Sequence, residues 1–460
     1  MSNHKNEFGS KIGLIAATIG SAVGLGSIWR FPAETQANGG AAFLILYLAC
    51  IIVLGIPVML AEFSIGRAAR SDAMGDFHKL APGSKWWLVG MFGLLASYLI
   101  GCFYMVVCGW TLEYLWESIT GNLYASVDQI QPSDISAMDK AFSTKMTDYI
   151  FTPVMPAVFT SIVIILNILI LNGGVRKGIE RLSNIMMPLL FIVILILCGI
   201  TLSLPGASEG VKWFISPDFS KITPMTVINA LGQTFFSLSL GMGILITYSA
   251  YYPATTNLTR TSVIVSVMSM IIAIMMGFVI FPAVFSFNLE NHSLIGTTLV
   301  FNTLPEVFAN LPGTQIWSIL FFLLLFMAAL TSTVSIMEVS VAFLRDRFRM
   351  SRRRACLTAL LPLLVLSSVC ALSFSTLSDI KIFGMTIFDF LDTFSTNILL
   401  PITSIGVCLF VGWFAPKGLL RDELTNHNTI NSNMTGFVMF VIRWIAPILI
   451  AAILLSPLFS

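Results

Sequence analysis

The chain has 460 residues, of which 56% are hydrophobic and only 10% are charged, and its mean hydropathy is +0.89. Soluble domains carry about 25% charged residues, so this composition excludes an ordinary soluble protein and predicts an all-α polytopic membrane protein. The formal net charge of +2 gives no indication of a nucleic-acid partner. All seven cysteines lie in apolar runs without CxxC or Cys/His spacing, so we expect buried thiols and no His/Cys metal site.

Hydropathy predicts eleven transmembrane helices, numbered here as spans 1 to 11. Lysine and arginine are concentrated in alternate loops, so the positive-inside rule predicts a cytoplasmic N-terminus and, after an odd number of spans, an outside C-terminus. The first apolar run is too long for a cleavable signal peptide. The predicted limits are 11–36, 40–68, 87–120, 152–171, 178–203, 225–252, 261–287, 314–345, 355–373, 384–414 and 436–457.

Span 1 contains the sequence GSAVGLGSIWRFP at Gly20–Pro32, which is unusual for a helix at membrane depth. Each interior glycine weakens a helix by about 1 kcal/mol, and an arginine such as Arg30 costs at least ~2.5–3.5 kcal/mol within the bilayer. Non-helical backbone is tolerated there only where protein buries it or where it lines a cavity. The stretch therefore predicts a broken helix whose freed carbonyls and amides face a bound solute.

Span 6 repeats this pattern in the sequence QTFFSLSLGMG. Gly241 and Gly243 follow small hydroxyl residues, as Gly24 and Gly26 do in span 1. The two breaks lie five spans apart, so the second is inverted in the membrane, and paired broken helices indicate the central site of a transporter. The predicted single transporter domain, 1–460, comprises inverted five-helix repeats over about 11–203 and 225–414 and a peripheral helix over 436–457.

Polar side chains inside the spans leave several interpretations open. Arg30 and Asp392 lie toward the outer ends of their spans, as either a gate pair or a static structural pair. Glu62 either holds unwound backbone or titrates as a proton site. The hydroxyl cluster Thr331–Thr333 serves either helix packing or sodium binding. Half-helix N-termini suit a carboxylate, so one site can hold a zwitterion between amides and free carbonyls.

Four motifs carry a resemblance across nearly the whole chain: GSAVGLGSIWRFP with NGGAAF, KGIERLSNIMMP, FFSLSLGMG and LTSTVSIMEV. They resemble the neurotransmitter:sodium symporter family, in particular its bacterial amino-acid branch. The rule on paired broken helices comes in part from this family, so it gives no independent support. The resemblance implies a leucine-transporter-like fold in a bacterial inner membrane. It further implies Na+ as the coupling ion, no organic cofactor, and uptake of a hydrophobic or aromatic L-amino acid by alternating access.

The resemblance also implies a substrate site at the two breaks. The amides of Leu25 and Gly26 and the hydroxyl of Tyr104 would bind the substrate carboxylate, and Phe236 and Tyr104 would form a lid. Met242 stands where the leucine transporter has phenylalanine, and a flexible methionine accommodates larger, even aromatic, side chains. The full set of implied substrate residues is Ser21, Ala22, Val23, Leu25, Gly26, Ile100, Tyr104, Phe236, Ser237, Ser239, Met242, Ser332 and Ile336.

The same resemblance implies two sodium sites, and only one of them keeps the ligand residues of the family. The intact second site comprises Gly20, Val23, Ala328, Thr331 and Ser332. The first site departs from the family, because Ser27 replaces an amide ligand and Ser269 replaces an asparagine or aspartate. Its implied members are Ala22, Ser27, Ser237 and Ser269. We therefore expect coupling to one Na+ at the second site, and Ala273 gives no sign of an internal anion.

The resemblance assigns gates on both sides of the membrane. Arg30 and Asp392, with Gln233 beside Arg30, match the outer gate, and Lys5 and Asp346 match the cytoplasmic latch. In span 5, Gly178 and Pro188 bracket a stretch whose unwinding would admit cytoplasmic water to the second sodium site.

Two alternatives to sodium-coupled transport remain open. One is a proton-coupled transporter of the same fold, with Glu62 or Asp392 titrating, and the other is a non-transporting amino-acid sensor. An enzyme is not expected, because the sequence shows no nucleophile–base constellation and no cofactor motif.

Overall fold

The computed structural model describes residues 7–125, 127, 130, 135–287, 289, 298–432 and 434–456. Within these ranges nine helices are long and apolar enough to cross a bilayer, and one bent helix pair makes a tenth. The nine are Ala41–Ala69, Trp87–Thr120, Val154–Asn172, Val175–Thr201, Leu258–Ser286, Thr314–Arg347, Arg352–Leu372, Ile387–Phe414 and Thr435–Leu455, which are spans 2 to 5 and 7 to 11. The predicted all-α membrane fold is confirmed, with a helix count near the eleven expected.

Span 1 is the bent pair, formed by Lys11–Ala22 and Gly26–Ala37 at an angle of 55°. Its first helix is capped by Ser10, whose side chain accepts a hydrogen bond from the Gly13 amide at 2.9 Å. The helix ends where Val23 leaves helical geometry, with φ −93° and ψ 83°. The predicted break therefore falls inside the glycine-rich stretch, as its composition requires.

Span 6 is broken between Pro224–Ser237 and Ile244–Ala250. Three residues of the intervening segment have left-handed backbone: Ser239 at φ 54°, Gly241 at φ 78° and Gly243 at φ 70°. Glycine adopts this conformation readily, but a serine does so only when its surroundings hold it there. The second predicted break is thus present, and neighbouring groups must stabilise it.

Glu62 of span 2 supplies part of that stabilisation. Its side chain is fully buried, and Oε1 accepts a hydrogen bond from the Gly241 amide at 2.7 Å. A buried amide without a partner costs about 1–3 kcal/mol, so this carboxylate offsets the loss of helical bonding at the break. Of the two interpretations left open by the sequence, the geometry favours the one in which Glu62 holds unwound backbone.

Span 2 lies directly against the inner half of span 6, at Gly66. A Cβ at Gly66 would lie 1.9 Å from the Ile246 carbonyl oxygen and 2.3 Å from Ser249 Oγ. Glycine is therefore required at this crossing, because the nearest atom belongs to helical backbone and cannot rotate away.

Gly66→Ala is expected to prevent normal folding. Overpacking costs typically ~1–3 kcal/mol, and more where backbone must shift. The measurement is the melting temperature and monodispersity of the purified protein in detergent. The matched control is Gly232→Ala in the outer half of span 6, where nothing lies within 4 Å of the added Cβ. Equal melting temperatures for the two variants would contradict this packing argument.

Several short connecting helices were not predicted. The helices Ile135–Phe151 and Ala207–Ile215 occupy stretches that the sequence analysis left as long external loops. Ala207–Ile215 is too short for a hydropathy window, and Trp213 and Phe214 hold it against aromatic rings of span 7. Its Phe214 is fully buried and fills the space above Gly277 in span 7, where a Cβ would lie 2.2 Å from the ring.

Candidate functional site

The two helix breaks are hydrogen-bonded directly to each other. The Ser239 hydroxyl donates to the Ser21 carbonyl at 2.7 Å, and the Gln233 amide donates to the Gly26 carbonyl at 2.8 Å. Both bonds are buried and join segments more than 200 residues apart. The freed carbonyls of span 1 therefore face span 6, as the pairing of the two motifs indicated. Gln233, expected beside Arg30, is bound to the backbone of the first break.

A narrow cavity of about 20 Å³ lies between the breaks, spans 3 and 8. The structure brings all the predicted substrate residues to its wall except Val23, Leu25 and Ser237. Gly24 also lines it and was missed, because the sequence analysis treated this glycine only as a helix breaker. The lining residues are Ser21, Ala22, Gly24, Gly26, Ile100, Tyr104, Phe236, Ser239, Met242, Ser332 and Ile336.

One end of this cavity is polar. The Leu25 amide donates to the Tyr104 hydroxyl at 3.0 Å, which joins the first break to span 3. A Cβ at Gly24 would lie 2.4 Å from Ser332 Oγ and 2.8 Å from the Tyr104 hydroxyl. Any side chain at position 24 would therefore fill the space where these hydroxyl groups converge.

Above the narrow cavity lies a vestibule of about 1110 Å³. Tyr104 and Phe236 line both spaces, so these two rings separate them, in the place expected for a lid. Arg30 and Asp392 both line the vestibule. The Arg30 guanidinium lies 4.9 Å from the centroid of the Phe236 ring and forms its ion pair with Glu34 at 3.6 Å. The outer side is therefore open, and a pairing of Arg30 with Asp392 stays a prediction for a closed form.

The residues predicted for the second sodium site lie together where span 1 meets span 8. A Cβ at Gly20 would be 3.5 Å from both Thr331 Cβ and Ser183 Oγ. The Thr331 hydroxyl donates to the Ala328 carbonyl at 3.0 Å, and Ser332 lies beside the break. Thr331 and Ser332 thus bring hydroxyl groups to the region of the break in span 1, and hydroxyl and carbonyl oxygens are ligands that suit a hard cation.

The first sodium position has a different character. Ser27 Oγ lies 3.3 Å from Ser269 Oγ, and the Tyr47 hydroxyl donates to Ser237 Oγ at 2.9 Å. The three serines and Tyr47 are all buried. Their hydroxyl groups are thus engaged with one another. Tyr47 was missed by the sequence analysis, although a tyrosine within an aliphatic stretch was a usable signal.

The end of the bundle where span 1 begins, predicted to face the cytoplasm, is closed by aromatic and ionic contacts. Phe8 is 3% exposed and packs against Tyr251, with ring centroids 6.5 Å apart. The Tyr251 hydroxyl donates to Glu338 Oε1 at 2.8 Å, and Arg352 donates to both Glu338 oxygens at 2.7 and 2.5 Å.

The predicted cytoplasmic latch is described only in part. Lys5 lies outside the described residues. Its expected partner, Asp346, accepts a hydrogen bond from Arg345 Nε at 2.7 Å. The contact between Glu338 and Arg352 was missed, because it joins two different spans.

Comparison with known proteins places the chain in a family. The model of the family described as "Sodium:neurotransmitter symporter family" matches residues 5–149 and 145–460. An uncharacterized sodium-dependent transporter of Haemophilus influenzae is 38% identical over 464 residues, covering 99% of this chain and 98% of that protein. The uncharacterized sodium-dependent transporter YhdH of Bacillus subtilis is 35% identical over 450 residues, covering 98% and 97%.

A solved structure agrees with these relatives. The crystal structure of MhsT in complex with L-phenylalanine matches with a TM-score of 0.87 and 40% identity, covering 98% of this chain and 99% of that one. The family predicted from the motifs is confirmed, and so is the expectation that the protein is not an enzyme. The chain therefore belongs to the sodium:neurotransmitter symporter family and is a sodium-dependent transporter.

Proposed function

We propose that this chain takes up a hydrophobic or aromatic L-amino acid with Na+ across the bacterial inner membrane by alternating access. The observation that carries the proposal is the narrow cavity between two broken helices, which the vestibule joins to the outside. Ile100, Ile336 and Met242 supply its apolar wall, and no carboxylate lines it within the described chain. The match to MhsT, solved with L-phenylalanine, supports the same substrate class.

The polar end of the cavity suits the backbone of an amino acid. The Leu25 amide donates to the Tyr104 hydroxyl at 3.0 Å at the start of a helical segment, a position that favours a carboxylate. On substrate binding, the amide would exchange this bond for one to the carboxylate, to which the Tyr104 hydroxyl would also donate. The Ser21 carbonyl, now bonded to Ser239, faces the same cavity as an acceptor for the amine. Carbonyls at Ala22, Phe236 and Ser237 complete the proposed amine site.

Substrate size depends on movement of the cavity wall. A volume of about 20 Å³ holds roughly one water molecule, so an amino-acid side chain requires the lining residues to move apart. Met242 is unbranched and adapts to irregular shapes, and the Phe236 ring lies between cavity and vestibule. These two residues are therefore proposed to set the upper limit of substrate size.

We assign the coupling ion to the second sodium site alone. There, the Thr331 hydroxyl and the carbonyls of Gly20, Val23 and Ala328 offer oxygen ligands. At the first position the short Ser27 and Ser269 side chains are bonded to each other at 3.3 Å, which leaves fewer oxygens for an ion. The inverted repeats, the cytoplasmic N-terminus and the outside C-terminus are part of the same proposal.

Uptake into proteoliposomes tests the substrate and the driving ion. The panel is radiolabelled leucine, methionine, phenylalanine, tryptophan, tyrosine, lysine and glutamate, with an inward Na+ gradient or with K+ in its place. We expect apolar and aromatic members to accumulate only with Na+. Accumulation that ignores Na+ but follows a proton gradient would show the proton-coupled alternative instead, and binding without accumulation would show a sensor.

The number of ions follows from the size of the accumulation. A tenfold Na+ gradient at zero membrane potential supplies ~1.4 kcal/mol for each Na+ that enters, and tenfold accumulation of the amino acid costs the same amount. One coupled Na+ therefore supports roughly tenfold accumulation, and two support roughly 100-fold. We expect the lower value. Thr331→Val should lower the apparent Na+ affinity at least about tenfold, whereas Ser27→Ala at the first position should change it less than about twofold. Accumulation near 100-fold would overturn the one-ion assignment.

A further inference from the structure

The segment that precedes span 1 is fastened to span 5 by one buried carboxylate. Glu180 Oε2 accepts a hydrogen bond from the Gly9 amide at 2.7 Å, and Oε1 accepts one from the Ser10 hydroxyl at 2.8 Å. Glu180 is 7% exposed and lies about 170 residues from its partners along the chain. Hydrogen bonds to a charged group are the stronger kind, and the burial of Glu180 reduces their screening by salt, while Gly9 and Ser10 themselves are exposed.

The fit around this carboxylate is close. A Cβ at Gly13 would lie 2.1 Å from Glu180 Oε1 and 2.4 Å from its carboxyl carbon. The first turn of span 1 therefore has a surface shaped for Glu180. Ser10 serves both elements, because its side chain caps span 1 through the Gly13 amide and also donates to Glu180.

Glu180 occupies a distinctive position in span 5. It is the last residue of a π-helical turn, Val175–Glu180, that opens the span. It is one of seven such turns in the described chain. Pro188 lies further along the same span and removes one helical hydrogen bond. Ser183, between them, lies next to Gly20 at the proposed sodium site.

The segment has other described attachments. Phe8 is 3% exposed, its ring packs against three tyrosines of span 6 and its amide donates to the Tyr251 carbonyl at 3.3 Å, whereas the polar side-chain contacts are more exposed. Glu7 pairs with Arg70 at 3.0 Å, and these side chains are 22% and 42% exposed. Arg176 Nε donates to the Glu7 carbonyl at 2.8 Å, also at the surface. Surface ion pairs contribute little to stability, so the Glu180 contact is the stronger of the polar side-chain attachments, and Phe8 supplies a separate apolar attachment to span 6.

We propose that Glu180 is a positioning residue that couples two movements on the cytoplasmic side. One is the loosening of the start of span 5, and the other is the release of the segment before span 1 from span 5. Because the carboxylate sits at the end of the π-helical turn, unwinding there carries it away from Gly9 and Ser10. The segment then loses its attachment to span 5 and is held by the Phe8 contacts with span 6, and Ser183 becomes accessible from the cytoplasm. The inference rests on the proposed function only in one respect: it takes span 5 as the path from the cytoplasm to the second sodium site.

The test measures access to that path without requiring transport. The reporter is Ser183→Cys, introduced into a background variant in which the half-buried Cys50 and Cys198 are both replaced by alanine. Inside-out vesicles containing Na+ are treated with a membrane-impermeant thiol reagent, and the rate of labelling is measured. Glu180→Ala is expected to raise this rate about tenfold, as loss of charged hydrogen bonds predicts. Glu7→Gln, which alters the exposed carboxylate of the same segment, should change it less than about twofold.

A double-mutant cycle separates this mechanism from general damage. Gly13→Ala alone should raise labelling as Glu180→Ala does, because the added methyl group displaces the carboxylate. The pair Gly13→Ala with Glu180→Ala should be no more reactive than either single variant, since the atom that clashes is gone. Unchanged labelling in Glu180→Ala, or additive effects in the pair, would overturn the inference. A failure of Na+-driven uptake alone would count against the proposed function and leave these rates interpretable.

Discussion

Glu62→Leu is expected to reduce uptake by at least about tenfold and up to about 100-fold, one of the two largest effects anticipated for this protein. Leucine fills the same volume but offers no acceptor to the Gly241 amide, which Glu62 now binds at 2.7 Å. That amide belongs to a segment with left-handed backbone at Ser239, Gly241 and Gly243. Without its partner the break loses the geometry that places Ser239 against the Ser21 carbonyl.

Glu62→Gln is the informative companion, because its amide oxygen still accepts from Gly241. We expect it to retain uptake within about tenfold of the parent. Initial rates of amino-acid uptake, normalised to folded protein, give the comparison. Glu209→Gln, an exposed carboxylate on the connecting helix Ala207–Ile215, serves as the control. If Gln fails as completely as Leu, ionisation of Glu62 matters, and the proton-coupled alternative gains support.

Arg352→Ala is expected to destabilise the closed cytoplasmic side, and so favour its opening, by about 3–5 kcal/mol. Arg352 donates to both oxygens of Glu338, which is fully buried, and its Nε donates to the Leu171 carbonyl at 2.8 Å. Removing the guanidinium leaves a buried carboxylate with Tyr251 as its remaining described partner. This pair joins the ends of spans 4, 6, 8 and 9, so its loss acts on several elements at once.

The measurements are the melting temperature and the binding of external substrate, both of which should fall for Arg352→Ala. Arg353→Ala, an exposed neighbour on the same helix, should behave as the parent. Glu338→Gln added to Arg352→Ala removes the unpaired charge and should recover most of the lost stability. A double variant as unstable as Arg352→Ala alone would show that packing, and not the buried charge, causes the defect.

The features that could be predicted from the sequence are local. Glycine pairs at Gly24–Gly26 and Gly241–Gly243 weaken a helix wherever they occur, and Arg30 is costly at any membrane depth. Residues near these breaks were therefore found by motif. Gly24 was missed as a wall of the cavity because its role depends on the hydroxyls of Tyr104 and Ser332 that approach it from other spans.

Partnerships between distant residues could not be predicted in this way. Nothing in the sequence near Glu338 indicates that Arg352 turns back to meet it, and Ser239 carries no sign of its bond to the Ser21 carbonyl. Both depend on how separate helices cross. The replacement of amide ligands by Ser27 and Ser269 was visible, but their mutual contact at 3.3 Å required the structure.

The position of Arg30 separates two timescales of outer closure. Its side chain is 34% exposed, and its pair with Glu34, one helical turn away, is of the weak surface kind. Rotamers at such positions change within picoseconds to nanoseconds, whereas helix movements take microseconds to milliseconds. In the proposed closed form, Arg30 would exchange Glu34 for Asp392 as its partner on the faster of these timescales. We therefore expect the approach of span 10 to span 1 to be the slow step, so that rigid-body motion of helices sets the rate of closure.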